Sequence, residues 1–299
     1  GTSMIEKIAL FGEAQNLMGV VTHPTAQAGP ARDLAFVLLN AGVIHRIGPG
    51  RLNVKLARRL AAEGHTSLRF DLSGIGDSRA AQSTLSWEAQ AVADIRAAMD
   101  YMQATHAMRR FVLVGLCSGA DNGYATAVAD PRVVGLVMID PNPYPTWKTR
   151  PRFLRMGLGK PRWLLDSLRK RVRRMLGRPR KVGEPGTEQP QSADRAGPER
   201  YVRPKPPLGQ FAAGLASVLE RGGPIMAVYS GSSLRQFSDE RQLDEALRPF
   251  GLAGRIGCRL CAQANHTFTE LSAQVQLSDA IVEWTEGLPP RPGVTGCSA

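Results

Sequence analysis

The sequence predicts an α/β protein in which helices cover both faces of a mostly parallel β-sheet. Short apolar runs alternate along the chain with longer amphipathic segments, and this alternation is typical of parallel sheets. One run, 34–40, is apolar almost without a break, as expected of a strand that is buried on both faces. The chain has 299 residues, of which 43% are hydrophobic, so it can bury a large core.

The predicted strands number about eight, and the first two form an antiparallel pair at one edge of the sheet. The runs 8–11 and 18–22 are separated by turn residues around Gln15 and Asn16, which is the pattern of a hairpin. The strands that follow are predicted at 34–40, 67–70, 111–116, 133–139, 225–229 and 256–262.

The predicted helices lie between these strands. In the segment 51–62, Leu52, Leu56 and Leu60 fall near one face, and Gly64 is placed to end the helix as a C-cap. The remaining helices are predicted at 87–102, 118–129, 210–220, 239–247 and 269–286.

The alternation breaks between residues 141 and 207, which we interpret as an insertion over one end of the sheet. This segment is rich in proline and contains a low-complexity polar stretch around 183–200. We therefore divide the chain into a core, formed by 4–140 and 208–288, and a cap formed by 141–207.

The net charge of the chain is +12, and it is concentrated in this insertion. Between Lys148 and Lys181 there are 14 lysines and arginines against a single acid, Asp166, whereas the rest of the chain has a net charge of −1. The basic character belongs to one segment and does not by itself indicate a nucleic-acid-binding protein.

Leu165, Leu168, Val172 and Leu176 have helical spacing within the basic segment and predict an amphipathic helix. Three interpretations of it remain open. Its polar face is simply solvated, or it docks an acidic carrier protein or an anionic substrate, or it lies on an anionic membrane surface. We expect no nucleic acid partner, because the aromatic residues lie at core spacing rather than on a stacking platform.

The sequence favours a cytoplasmic protein. No apolar run reaches the roughly 18 residues that a membrane-spanning helix needs, and no signal-peptide pattern follows Met4. Four cysteines are too few for a disulfide scaffold in a chain of this length. Cys258 and Cys261 form a C-x-x-C pair within a predicted strand, which places them on opposite faces, so we expect no metal site.

A reactive cysteine is expected where the strand 111–116 turns into the helix 118–129. The motif at 115–119, GLCSG, has a glycine two residues to each side of Cys117. Glycines at these positions permit a sharp turn that holds the central side chain in a strained conformation. Ser118 is the less favoured nucleophile and fits a helix cap better. The other interpretation of Cys117 is a small, buried hydrophobic residue.

Two further segments combine with this turn to carry a family resemblance. The loop 71–78, DLSGIGDS, follows the fourth predicted strand, and His266 lies between the last strand and the last helix. With the motif 115–119, they make the sequence similar to the α/β-hydrolase superfamily. The loop and the segment 40–49, NAGVIHRIGP, resemble the exosortase-A-associated hydrolases. The resemblance implies an α/β-hydrolase fold with 141–207 as a basic helical cap.

The resemblance also implies catalytic roles for individual residues. Cys117 replaces the serine of most members, as in dienelactone hydrolases and some thioesterase-like cyclases, and a thiol there is an effective nucleophile. His266 is expected to take the thiol proton and return it to a leaving group. The usual position of the acid holds a serine, which leaves Asp239 as the first choice, Asp140 as the alternative, and a site without an acid as the third. Asp239 equally fits an N-cap of the following helix.

The resemblance further implies an oxyanion hole beside the thiol. The N–H of Ser118 is expected to act with an N–H of the loop after the third strand, for which Gly42 and Val43 are the candidates. His45 and Arg46 follow in that loop and are candidates for binding a substrate carboxylate or enolate. The alternative is that both are solvated loop residues.

These residues favour an enzyme that acts on an ester or a thioester through an acyl-cysteine, without a cofactor. Hydrolysis, acyl transfer and cyclisation all remain open, with a small-molecule or carrier-bound acyl substrate in a biosynthetic pathway. One alternative is a lyase that expels a carboxylate such as acetate. The other is an inactive binding or membrane-associated module.

Overall fold

The computed structural model describes residues 4–24, 33–158, 203 and 205–288, and these form one eight-stranded sheet covered by helices. The strands, which we number in chain order, are β1 Ile5–Phe11, β2 Leu17–His23, β3 Leu34–Leu38, β4 Thr66–Phe70, β5 Arg110–Leu116, β6 Val133–Ile139, β7 Ile225–Ser230 and β8 Gly257–Cys261.

The strand order across the sheet is β1-β2-β4-β3-β5-β6-β7-β8. The hairpin β1–β2 is antiparallel, and β2 also pairs antiparallel with β4. Every pair from β4 to β8 is parallel. The predicted parallel sheet with an antiparallel pair at one edge is therefore confirmed.

Helices pack on both faces of the sheet. One core contains α1 and α7, and the other contains α2, α3, α5 and α6. The helices are α1 Leu52–Ala62, α2 Trp87–His106, α3 Ser118–Ala129, α4 Thr149–Leu158, α5 Leu208–Glu220, α6 Arg241–Leu247 and α7 Leu271–Thr285.

The central strands are buried on both faces, which explains their continuous apolar sequences. In β3, Ala35 and Val37 belong to one core, whereas Leu34, Phe36 and Leu38 belong to the other. Alternate side chains of one strand therefore supply both cores, as the period of two requires.

Part of the segment interpreted as an insertion lies among the described residues. Its first helix, α4, is attached to α6 by Arg152, whose two terminal nitrogens lie 2.9 and 2.6 Å from the carboxylate of Glu245. The helix predicted over Leu165 to Leu176 lies outside the described residues. Within the described part of the chain, no helix is both long enough and apolar enough to span a bilayer.

Candidate active site

The carboxyl ends of the parallel strands meet at one edge of the sheet, and the candidate site lies there. β5 ends directly before Cys117, β6 directly before Asp140, and β7 ends at Ser230, while His266 lies in the loop that follows β8. Side chains far apart in sequence are brought together because neighbouring parallel strands end side by side.

The turn that carries Cys117 is strained, as the motif predicts. Its φ of 58° and ψ of −119° are rarely adopted by a residue with a side chain. A Cβ on Gly115 would overlap the backbone of Gly119, and a Cβ on Gly119 would lie 2.5 Å from the carbonyl oxygen of Asn40. A larger residue at either position would clash with the backbone, so both glycines are required for this turn.

The environment of the Cys117 thiol favours its ionised form. Burial by itself would raise the pKa of the thiol, but a hydrogen bond with His266, the charge of Arg203 and the backbone N–H of Ser118 outweigh it. The pKa of Cys117 is therefore lowered. Such a thiol is a stronger candidate nucleophile than an ordinary buried cysteine.

The imidazole of His266 lies between the thiol and a buried carboxylate. Its Nδ1 lies 2.7 Å from Oδ2 of Asp140, which leaves Nε2 for Cys117. The hydrogen bond with Asp140, followed by the one with Cys117, raises the pKa of His266 to about 10 in spite of its burial. The arrangement therefore favours an imidazolium beside a thiolate.

Asp140 is held by several bonds at the end of β6. Its φ of 47° lies in the left-handed region, and its side chain is only 2% exposed. Ser230 donates both its N–H and its hydroxyl to the carboxylate, each at 2.6 Å, and the hydroxyl of Ser233 lies 3.3 Å away. The carboxylate is thus fixed from three sides and aimed at His266.

The structure does not place Asp239, the first choice for the acid, on His266. Its carboxylate binds the guanidinium of Arg241 at 2.8 and 3.0 Å and also lies 3.7 Å from Arg152. It accepts the N–H of Arg241 at 2.9 Å, at the start of α6. The N-cap of α6 is Glu240, so Asp239 is not the N-cap that the alternative interpretation expected, although its carboxylate bonds to the first N–H of the helix. The carboxylate beside His266 belongs to Asp140.

The loop after β3 contacts helix α3, which begins directly after Cys117, through Ser118. The N–H of Gly42 donates to the hydroxyl of Ser118 at 2.8 Å, and Gly42 has a φ of +58°. Ser118 thus holds this loop and makes no side-chain cap of α3, contrary to expectation. Of the two candidate oxyanion donors, the N–H of Gly42 is thus already engaged, which leaves the N–H of Val43, the next residue of the loop.

His45 and Arg46, the candidates for binding a substrate, contact carboxylates of the protein itself, and Arg46 is buried rather than solvated. Nη1 of Arg46 lies 2.5 Å from Asp71, 2.8 Å from Asp77 and 2.8 Å from Nε2 of His45. The ligand atoms of His45, Asp71 and Asp77 lie within 4.8 Å of one another, as a metal site requires, but the guanidinium already supplies the positive charge there. The cluster ties the loop after β3 to the loop after β4.

Two residues of this region were not predicted from the sequence. Asp121 lies in the first turn of α3, and Arg203 forms a two-point ion pair with its carboxylate. The spacing of four residues from Cys117 could have drawn attention to Asp121. Nothing in the sequence distinguishes Arg203 from the other arginines of its segment.

Besides Cys117, the described residues contain two cysteines, and both are structural, whereas Cys297 lies outside the described residues. Cys258 packs against one core and Cys261 against the other, so the two lie on opposite faces of β8 as predicted. Burial raises the pKa of Cys258 to about 12 and also raises that of Cys261. Both thiols are therefore unreactive beside Cys117.

The fold and the site can now be compared with known proteins. A model of the alpha/beta hydrolase family matches residues 36–275, a range that includes Cys117, Asp140 and His266. A search of curated proteins finds no match.

Solved structures share the fold at low sequence identity. An alpha-beta serine hydrolase homologue from Coxiella burnetii superposes with a TM-score of 0.54 at 14% identity, over 93% of this chain and 96% of that one. A serine hydrolase without a lid from Xanthomonas campestris gives 0.54 at 14% identity over 98% of both chains. An esterase from Pyrococcus furiosus gives 0.60 at 13% identity over 95% of this chain and 92% of that one.

The match to the family model covers most of the chain. This chain belongs to the alpha/beta hydrolase family.

Proposed function

We propose that this protein cleaves thioesters, and activated esters of similar reactivity, through an acyl-cysteine on Cys117. The observation that carries the proposal is the continuous chain of thiol, imidazole and carboxylate formed by Cys117, His266 and Asp140. Nucleophile, base and orienting acid in this geometry are the parts of a triad, whichever strands supply them.

The first half-reaction forms the acyl-enzyme. Sγ of Cys117 attacks the carbonyl carbon of the substrate, and the carbonyl oxygen becomes an oxyanion. As that intermediate collapses, the bond from carbon to the leaving sulfur breaks, and Nε2 of His266 gives its proton to the departing thiolate. Asp140 keeps Nδ1 engaged throughout, which fixes the ring and stabilises the imidazolium.

The second half-reaction releases the acyl group. His266, now neutral, takes a proton from water or from an acceptor hydroxyl or thiol, which attacks the acyl-cysteine. The bond between the carbonyl carbon and Sγ breaks, and the thiolate of Cys117 re-forms beside the imidazolium. Water as acceptor gives hydrolysis, another acceptor gives acyl transfer, and a hydroxyl of the same acyl chain gives cyclisation.

The chemistry of the leaving group favours a thioester over an alkyl ester. In the tetrahedral intermediate, the group of lower basicity leaves first, and a cysteine thiolate with a lowered pKa leaves more readily than an alkoxide. With a thioester the two leaving groups are both thiolates, so acylation proceeds. The pKa of Cys117 therefore selects for acyl groups that are already activated.

The oxyanion is expected to bind between Ser118 and Val43. The N–H of Ser118 opens helix α3 and points toward the sulfur. The hydrogen bond from Gly42 to the Ser118 hydroxyl fixes the loop, so that the next N–H, that of Val43, completes the pair.

We further propose a biosynthetic setting in which the acyl group arrives on a carrier. The segments 40–49 and 71–78 resemble the exosortase-A-associated hydrolases. The excess of positive charge between Lys148 and Lys181 fits an acidic carrier protein that delivers the thioester.

The proposal is tested by measuring turnover of paired substrates that differ in one atom. N-acetylcysteamine thioesters of increasing chain length are compared with the matching oxygen esters in the wild type, Cys117→Ala and His266→Ala. We expect the thioester to react at least 100-fold faster than the alkyl ester, and both variants to lose activity by about 100-fold or more.

Two outcomes would overturn the proposal. Turnover that survives Cys117→Ala would show that no acyl-cysteine forms and would favour elimination with His266 as the base. A wild-type thiol that reacts with iodoacetamide no faster than free cysteine, together with no turnover, would favour a binding module.

A further inference from the structure

Asp121 is an acidic residue on the helix that follows the proposed nucleophile. It lies in the first turn of α3, the helix that begins directly after Cys117, and its side chain is about one-fifth exposed. Burial raises the pKa of this carboxyl, and Arg203 partly offsets the rise. An unpaired carboxylate there would oppose ionisation of the thiol, because like charges in a poorly solvated site repel each other.

Arg203 pairs with this carboxylate through two nitrogens. Its Nε donates to Oδ2 of Asp121, and its Nη2 donates to Oδ1 at 2.9 Å. The amide of Asn142 adds a contact to the same carboxylate at 3.3 Å. The two-point geometry fixes the plane of the guanidinium, which a lysine could not do.

The third nitrogen of the same guanidinium reaches the residue that orients His266. Nη1 of Arg203 donates to the main-chain carbonyl of Asp140 at 3.0 Å. Asp140 has the left-handed backbone conformation described above, which costs energy in a residue with a side chain. A charged donor on its carbonyl helps to hold that conformation.

Close to Arg203 in sequence, Lys205 and Pro206 bond to the residues that follow β6. Nζ of Lys205 donates to the carbonyl of Pro143 at 2.7 Å, and the hydroxyl of Tyr144 donates to the carbonyl of Pro206 at 2.8 Å. These bonds join the stretch that leaves β6 to the stretch that returns to α5.

We propose that Arg203 is a positioning residue of the Cys117 site, which neutralises Asp121 and holds the main chain of Asp140. This inference rests on the proposed role of Cys117 as nucleophile. Its consequence is that one residue of the 141–207 segment, Arg203, supports the active site: without Arg203 the carboxylate of Asp121 is left without its counter-charge and Asp140 loses one of its supports.

The test is the pH dependence of Cys117 alkylation in the full-length chain. The rate with iodoacetamide is measured between pH 5 and pH 10 by peptide mass spectrometry, which separates Cys117 from the other cysteines. In Arg203→Gln we expect the midpoint of the profile to rise by about one pH unit and the rate at a pH below the midpoint to fall about tenfold. Arg152→Gln, which removes a comparably buried ion-paired arginine of the same segment, is the matched control and should leave the midpoint unchanged.

A second pair of variants separates charge from structure. Asp121→Asn keeps Arg203 and removes the opposing carboxylate, so the midpoint should fall below that of the wild type. In the double variant Asp121→Asn, Arg203→Gln, it should return to within a few tenths of a pH unit of the wild-type midpoint. Circular dichroism establishes that each variant is folded. If Arg203→Gln does not fold, the midpoint in Asp121→Asn tests the inference on its own.

The inference is overturned if Arg203→Gln is folded and keeps the wild-type midpoint, or if Asp121→Asn leaves the midpoint unchanged or raises it. Failure of the proposed function looks different. In that case the wild-type thiol has the midpoint of an ordinary cysteine, and His266→Ala does not change it.

Discussion

The carboxylate of Asp140 determines how His266 can work. It accepts two bonds from Ser230 and one from the imidazole, all at 2.6 to 2.7 Å. A buried, fully bonded carboxylate supports an imidazolium without taking its proton. The residue that resembles an acid in sequence, Asp239, is instead bound to Arg241, which lowers its pKa to about 2.

Asp140→Asn should therefore lower thioester turnover by about 100-fold, because the neutral amide no longer stabilises the imidazolium. It should also lower the pKa of His266, because the hydrogen bond to Asp140 contributes most to raising that pKa. The measurement is kcat/KM as a function of pH. Asp239→Asn is the control, with turnover within about twofold of the wild type; a larger loss in that variant than in Asp140→Asn would contradict this assignment.

The residues of the site differ in how far the sequence could reveal them. Cys117 and His266 are marked by local patterns, namely a glycine-flanked turn and a position after the last strand. The sequence ranked Asp239 ahead of Asp140, whereas the structure places Asp140 on His266; β6 and β7 are neighbours with ends at the same edge, so the sequence alone could not decide between the two. Arg203 acts through contacts with Asp121 and Asp140, and no local pattern encodes contacts over such separations.

At the scale of the elements, a buried ion pair connects the loops that follow β3 and β4. Arg46 is only 10% exposed in its side chain and Asp71 is fully buried. Asp71 also accepts the N–H of Arg46 at 2.5 Å and the amide of Asn40 at 3.2 Å. The loop after β3 also carries Gly42 and Val43. The cluster therefore helps to hold the proposed oxyanion hole in place.

Arg46→Met should lower the free energy of unfolding by about 3–5 kcal/mol, because it leaves the carboxylate of Asp71 buried without its partner. Urea unfolding measures the loss. Arg58→Met is the matched control, since Arg58 pairs with Glu6 at the surface and its loss should cost about 1 kcal/mol or less. Equal losses in the two variants would show that the buried pair stabilises the fold no more than the surface pair does.

The strands and helices were more predictable than the loops. Apolar runs located all eight strands, and the helix 118–129 and the strand 133–139 were predicted with the bounds observed. Helix α6 begins at Arg241 rather than at residue 239, because Asp239 bonds back to the N–H of Arg241. The loops depend on contacts such as Arg46 with Asp71, which hydrophobic periodicity does not contain.

For the whole molecule, two neighbouring histidines link stability to pH. The rings of His23, at the end of β2, and His106, at the end of α2, lie 4.8 Å apart. Burial lowers the pKa of both, and for His23 the charges of His106 and Lys7 add to the effect. Nε2 of His106 is buried without a hydrogen-bond partner among the described residues.

Because these pKa values are lower in the folded state, the unfolded chain binds more protons near and below pH 6.5, the ordinary value for histidine. Stability should therefore be full above pH 6.5 and fall as the pH decreases through the folded pKa values. Urea unfolding at pH 7, 6 and 5 measures this for the wild type and for His23→Gln, His106→Gln.

The double variant should show a shallower loss between pH 7 and pH 5 than the wild type. Comparing the two slopes removes the contribution of every other titrating group, including His266, whose raised pKa acts at higher pH. Parallel curves for the two proteins would contradict the assignment of this pH dependence to the histidine pair.

The charge distribution of the whole chain is a sequence property that remains informative. The net charge of +12 arises between Lys148 and Lys181, and the residues outside that segment are close to neutral. In the described part of the segment, Arg152 and Lys148 already form ion pairs with Glu245. Arg203 lies beyond that segment, and periodicity could not show that it contacts Asp121 and Asp140 at the edge of the sheet where the candidate site lies.

The most direct test of the central claim is the mass of the enzyme during turnover. The wild type is mixed with a thioester, quenched in acid within milliseconds to seconds, and analysed intact and as peptides. We expect one added acyl group, located on the peptide that contains Cys117 and lost in Cys117→Ala. Turnover of the thioester without any acyl group on Cys117 would show that the reaction does not pass through an acyl-cysteine.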